Sequence, residues 1–508
     1  MKNLKVKNSL CKAKRFLSGF IAVIFLCFGL VSFSACGKKT DDLSKISTGL
    51  SNYDISIDFD NSTKSLTAKQ KVNYVNNTDT VLKQVKFHLY PQFFKQGATD
   101  KIVSQTKMNN CYRHGMSYCE FEITKLKLAD TEIAVVLEGD YNNILNVNLT
   151  NSLMPTERVD VDLEYYIKLP NCEHRFGYGD DTINLANFYP IACVYENGGF
   201  VTNPYNANGD PFYSDMSNYN VNLTLDSMLT VAGTGEQYEL SQKSGKTTTQ
   251  FKAKVVRDFA CVISEKFEVK TAKANNVEVN YYFYNDGNAD LALKTAVDSI
   301  KTFSQKFGEY PYTTFSVVKC DFLQGGMEYP NLVMISDDID SLDDYLNVIV
   351  HETAHQWWYG LVGNDEYTLP WLDEALTEFS TALFYDYNED YNLTHQKIVK
   401  ANKENYTLFI TVYEDVLGSI DTSMRAVDEY NTEPEYTYCT YVKGVLMYES
   451  LYSLVGEKKF VKSLQNYYQT NKFKNVTADE LIEAFTKTTG NDMQSFFDSW
   501  IKGKVVIK

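Results

Sequence analysis

The sequence predicts a multidomain α and β protein in which a mainly antiparallel β domain precedes a mostly helical one. Three observations carry the prediction. From Tyr53 onward apolar residues alternate with polar ones, as in Tyr53, Ile55, Ile57 and Phe59, which is the period of a half-buried strand. From about residue 287 the apolar residues fall three and four apart, as the buried stripe of a helix requires. A His-Glu-x-x-His segment at 351–355 lies inside one of those helical stretches.

The N-terminus stands outside the folded body. Lys2, Lys5, Lys7, Lys12, Lys14 and Arg15 precede an apolar run from Phe16 to Phe33, the layout of an export signal. The run ends in Phe33-Ser34-Ala35-Cys36-Gly37, which resembles the cleavage site of bacterial lipoproteins, so residues 1–36 are expected to be a leader with Cys36 as the lipidated residue. A run of this length also suffices for a retained membrane anchor, and either outcome places the body on the extracytoplasmic face of a cell membrane. Residues 37–50 are polar without periodicity, as expected of a tether.

The β domain is expected over 51–270. Leu66, Ala68, Val72 and Tyr74 continue the alternation, as do Val85, Phe87 and Leu89, and Tyr219, Val221, Leu223 and Leu225. Turn-rich stretches such as Asn203–Asp210 separate them. The second domain is expected over 271–508, opening with a strand at Val277–Tyr284. Short strands at Phe315–Val318 and Leu332–Ile335 flank a turn at Gly325-Gly326.

Charge and cysteine content exclude some classes. The chain holds 49 basic and 65 acidic residues, and setting aside the six basic residues of the leader leaves a net charge of −22. A surface of that sign does not bind nucleic acid or anionic lipid through a general basic field, so no nucleic-acid partner is expected. Seven cysteines remain after the leader and Cys36, at scattered positions without a Cys-x-x-Cys. Neither a thiolate metal site nor a dense disulfide framework is indicated; Cys111 and Cys119 are near enough in sequence to bridge one loop, and isolated structural cysteines are the alternative.

The chemistry is concentrated in the second domain. His351 and His355 are four apart on one helical face, so both imidazoles can reach one ion, with Glu352 directed at the remaining coordination position. Position 361, where one zinc-peptidase class would place a third histidine, is Leu361. Glu374 lies 19 residues beyond His355 in Trp371-Leu372-Asp373-Glu374-Ala375-Leu376-Thr377-Glu378-Phe379. Leu372, Ala375, Leu376, Phe379, Ala382 and Leu383 form that helix's apolar stripe and leave Glu374 and Glu378 together on another face. Glu374 is expected as the third ligand, and Glu378 either as a solvated glutamate or as the acceptor that fixes a ligand histidine's tautomer. Two histidines, one carboxylate and an open fourth position describe one catalytic zinc per chain, with Glu352 as general base.

With these residues the chain resembles the gluzincin aminopeptidases, the group that includes membrane alanyl aminopeptidase and the bifunctional leukotriene hydrolase. Gln324-Gly325-Gly326-Met327-Glu328-Tyr329-Pro330 is similar to that family's Gly-x-Met-Glu-Asn motif, and Tyr441-Val442-Lys443-Gly444 to its Tyr-x-Lys-Gly motif. Asn187-Phe188-Tyr189-Pro190 and Asp258-Phe259-Ala260 are similar to parts of its β domain. The resemblance implies a saddle-like N-terminal β domain followed by a thermolysin-like zinc catalytic domain. It also implies that Gly325, Gly326, Met327 and Glu328 bind substrate, with Glu328 taking the free α-amine, and that Tyr441 hydrogen-bonds the tetrahedral oxyanion. The implied activity is removal of N-terminal residues from extracellular peptides, against the alternatives of a zinc endopeptidase or a peptide-binding protein on an inactive scaffold. Tyr329 stands where the family has asparagine, and the chain closes soon after Trp500-Ile501, so a more open cleft is expected.

Overall fold

The computed structural model describes residues 43–414 and 422–503. The expected leader, Cys36 and the start of the tether lie outside the described residues. Among the described residues, no helix is long and apolar enough to cross a membrane. The tether is not featureless over its described part. Leu43–Ser47 form a short helix, and the carbonyls of Ser47 and Thr48 accept from Asn218 Nδ2 and Arg158 Nη2, so this segment docks on the first sheet.

The alternating residues form the expected strands. Ser51–Asp60, Ser65–Val75 and Ser217–Asp226 are central in an eight-stranded sheet that also holds Arg158–Lys168, Glu120–Leu128, Lys246–Val256 and Glu236–Lys243. Neighbours run antiparallel except Ser51–Asp60 beside Ser217–Asp226, which are parallel. Strict alternation lets one face bury Tyr53, Ile55, Ile57, Phe59, Val221 and Leu223 while the other meets solvent. Leu82–His88 and Ile183–Ala186 belong to two smaller four-stranded sheets.

A five-stranded sheet joins the two cores. Its order is Glu268–Ala274, Val277–Phe283, Thr314–Cys320, Leu332–Ser336 and Gly326–Met327, with the middle three parallel and both edges antiparallel. The expected domain boundary at 270/271 falls inside its first strand. Period-two geometry gives each strand two apolar faces. Tyr282, Val318, Cys320, Leu332 and Met334 pack into the core of the β domain. Val279, Tyr281, Phe283, Phe315, Val317, Val333 and Ile335 pack against the helices.

The helices that matter for the site are Leu342–Ala354, Trp371–Tyr387 and Lys443–Val455. Ser341 caps the first by accepting from Asp344 N, and Asp343 and Asp344 in its first turn complement the helix dipole. All seven body cysteines are buried. Of the two readings open for Cys111 and Cys119, the loop bridge is not present: Cys111 Sγ lies 3.1 Å from Cys172 Sγ instead.

Candidate active site

Three donor atoms converge where two helices meet. His351 Nε2 and His355 Nε2 are 3.1 Å apart, and Glu374 Oε2 lies 3.4 Å from the first and 3.2 Å from the second. Zinc ligands at about 2.0–2.1 Å in tetrahedral array stand about 3.3 Å from one another, so the cradle has the size and donor chemistry of a zinc site with one position left open.

Local structure fixes each member. His351 lies in the last turn of its helix, and His355 is the C-cap. The chain then turns sharply, with Tyr359 at φ +112° and the Gly360 N–H bonded to the His355 carbonyl at 2.8 Å. That turn brings the Trp358 carbonyl within 3.0 Å of His355 Nδ1, so the proton sits on Nδ1 and Nε2 keeps its lone pair for the metal. On His351, Nδ1 lies 3.4 Å from Glu378 Oε1. Glu374 and Glu378 face the histidines from one side of their helix, while Leu372, Ala375, Leu376, Phe379, Ala382 and Leu383 are all buried.

Glu374 uses its two oxygens differently. Oε2 faces the histidines, and Oε1 accepts from the Tyr441 hydroxyl at 2.5 Å. Tyr441 sits in a π-helical turn, Tyr438–Val442, that leads into Lys443–Val455, a local widening that re-aims a side chain. Lys443 is buried and donates to the Gly503 carbonyl. The Tyr436 ring packs edge-on against Tyr441 with centroids 5.8 Å apart.

Glu352 and Glu328 occupy the same cleft. The Glu352 carboxylate is buried with Oε2 unpartnered; burial raises its pKa, and the neighbouring His351 works against that rise. Gly326 lets it lie there, because a Cβ at Gly326 would stand 2.2 Å from Glu352 Oε1. Glu328 is 3% exposed, with Oε1 unpartnered, and burial raises its pKa despite the opposing pull of His355. Gly325 and Gly326 line the cleft, and the Gly325 carbonyl accepts from Ser336 N. Met327 is buried and pairs with Met334 across the edge of the five-stranded sheet.

Tyr329 points away from the cleft. Its hydroxyl donates to Asn187 Oδ1 at 2.7 Å, and Asn187 in turn donates to Asp258 Oδ2. The Tyr329 carbonyl accepts from Gln356. The substitution for asparagine therefore joins the Glu328 segment to the β domain through the two segments singled out there by sequence.

Sequence reasoning missed Asp210, Glu366 and Tyr436. One oxygen each of Asp210, Glu328 and Glu374 lie within 4.8 Å of one another. Asp210 is held by an ion pair to the buried Arg175. Glu366 is buried beside Glu328 with both oxygens unpartnered. Asp210 occurs in a stretch whose composition signals only a turn, and no local pattern distinguishes Glu366 or Tyr436. Together these carboxylates give the cleft an excess of buried negative charge, which a cation or an ammonium group would offset.

Residues 291–500 match the peptidase family M1 domain. Aminopeptidase 2 of Candida albicans is 27% identical over 232 residues, 42% of this chain and 24% of that protein. Aminopeptidase N of Lactococcus lactis subsp. lactis is 26% identical over 262 residues, 46% of this chain and 29% of that protein. The matches thus span about a quarter to a third of these relatives' length. The fold is similar to that of an M1 zinc metallopeptidase from Deinococcus radiodurans, at a TM-score of 0.62 and 15% identity, covering 90% of this chain and 95% of that one. A mutant of that enzyme bound to a Tyr-Ser-Ala substrate gives the same TM-score at 16% identity, with the same shares covered. Residues 291–500 thus match the peptidase family M1 domain, within a fold similar to that of M1 zinc metallopeptidases.

Proposed function

We propose that this protein is a zinc aminopeptidase that removes N-terminal residues from peptides. The observation that carries the reading is the placement of the buried Glu328 carboxylate, its Oε1 unpartnered, beside Asp210 and the cradle residues Glu374 and His355. A substrate ammonium seated on these carboxylates gains charge-assisted hydrogen bonds and fixes how far the scissile bond lies from the metal position. His351, His355 and Glu374 would hold a zinc ion, which when bound would supply Lewis-acid activation of a peptide carbonyl and of water.

The protein's own groups do the rest. Glu352 accepts the proton of the attacking water and delivers it to the departing amine. The Tyr441 hydroxyl, lying next to the cradle, donates to the oxygen on which negative charge develops. The Trp358 carbonyl and Glu378 hold the two imidazoles in the tautomers that leave Nε2 free. The test compares a peptide bearing a free α-amine with its acetylated counterpart. Cleavage of the free-amine peptide alone, abolished by Glu352→Gln and by a zinc chelator, is expected. Preferential cleavage of the acetylated peptide would identify an endopeptidase, and stoichiometric binding without turnover in zinc-loaded protein a peptide-binding scaffold.

We also propose that the body is held at the extracytoplasmic face of the membrane by a lipid on Cys36 and acts there on extracellular peptides. The support is the basic start, apolar run and Ser34-Ala35-Cys36 ending of the leader. Labelled fatty acid should enter the wild-type chain and not Cys36→Ala; equal labelling, or none in either, would overturn the assignment.

A further inference from the structure

Cys111 and Cys172 are 61 positions apart in sequence, yet their sulfur atoms are 3.1 Å apart in the core of the β domain. Both side chains are essentially fully buried, at 1% and 0% exposure. Two bonds that do not involve sulfur hold the two segments together beside the pair: the Glu173 N–H donates to the Cys111 carbonyl at 2.9 Å, and Arg113 Nε lies 3.0 Å from Glu173 Oε2. The backbone therefore delivers the two thiols to each other independently. The remaining approach to a bond length of about 2.05 Å is of the order that side-chain rotation supplies.

We propose that Cys111 and Cys172 form a disulfide in the mature protein. The oxidant is a small or protein-borne disulfide. One cysteine thiolate attacks it and releases the first carrier thiol, and the second thiolate then attacks the resulting mixed disulfide and releases the other. Two electrons and two protons leave the cysteine pair, and one carrier disulfide becomes two thiols. Exchange takes place while the chain is folding, before the helix Met108–Cys111 docks and covers the sulfurs. Burial then shields the bond from reductant.

The consequence reaches the cleft. Ile102, Val103, Ser104 and Lys107, just upstream of Cys111, line the cleft wall, and Arg175, three residues beyond Cys172, holds Asp210. The bond ties both to one point of the β domain. It is independent of the aminopeptidase reading and would hold for a catalytically silent chain.

Full-length protein folded in oxidised glutathione, denatured without reductant, alkylated and digested should yield a peptide linking Cys111 to Cys172. Both residues alkylated, or Cys111 linked to Cys119, would overturn the proposal. Reduction should also lower the Tm of the wild type by about 3 °C or more, a shift absent from the Cys111→Ala/Cys172→Ala variant. Should that variant fail to fold, the peptide linkage in the wild type remains decisive.

Discussion

Gly444 and Ala375 meet so closely that a Cβ on Gly444 would stand 2.3 Å from the Ala375 Cβ and 2.8 Å from its Cα. Neither atom can rotate aside, so the helix following Tyr441 and the helix carrying Glu374 pack at this distance only with glycine at 444. Gly444→Ala should force them apart. An overpacked core costs about 1–3 kcal/mol, and the Tyr441–Glu374 hydrogen bond lies within a turn of the contact. The expected result is a lowered Tm together with reduced peptidase activity, partly rescued by adding Ala375→Gly. An unchanged Tm would refute the close packing.

Gly326 poses the opposite case. A Cβ there would strike Glu352 Oε1 at 2.2 Å, but that atom is the far end of a flexible side chain and can swing away. Gly326→Ala should therefore displace the proposed base while leaving the fold intact. Misplacing a reacting group by about 1 Å costs on the order of 100-fold in rate. A fall in kcat of that order, with Tm and bound zinc unchanged, is expected; retention of full kcat would show that Glu352 does not act from this position.

The metal cradle was legible in sequence because helical spacing is itself geometry: residues four apart share a face, and the apolar stripe around Leu372 and Phe379 left Glu374 and Glu378 on another. The strands of the β domain were legible for the same reason, since Tyr53, Ile55 and Ile57 point one way. What stayed hidden is set by contacts far apart in sequence. Cys111 finds Cys172 rather than Cys119 because strand pairing carries the 158–168 segment back across the sheet. Asp210 reaches Glu328 because the two cores share one sheet. The turn read at Gly325-Gly326 runs into the edge strand Gly326–Met327, which at two residues is too short for any period to register.

Asp210 supplies a third carboxylate to the proposed α-amine site, so its removal should affect substrates through their charge. Asp210→Asn should raise KM for free-amine peptides about 10-fold, the scale of one charge-assisted hydrogen bond, with a smaller effect on kcat. Asp210→Asn would also leave the buried Arg175 without its carboxylate, with only the faces of Phe212 and Tyr205, 5.0 and 5.8 Å from its guanidinium carbon, so the Tm should fall too and KM is to be read well below the variant's Tm. An unchanged KM would remove Asp210 from the amine site.

His395 lies apart from the cradle and ties three helices together. It opens the helix His395–Phe409, with Nδ1 2.5 Å from Asp386 Oδ2 and Nε2 2.8 Å from Glu449 Oε2. Burial works against its charge, but the two carboxylates outweigh burial and raise its pKa from 6.5 to about 9. Because the folded value lies above the unfolded one, the stabilisation is fully present below about pH 6.5 and is lost as pH rises through about 9. The Tm of the wild type should therefore fall over this window more steeply than that of His395→Gln, which cannot take up the proton. Parallel Tm curves for the two proteins between pH 6.5 and 9.5 would mean that the imidazole is not held charged by Asp386 and Glu449.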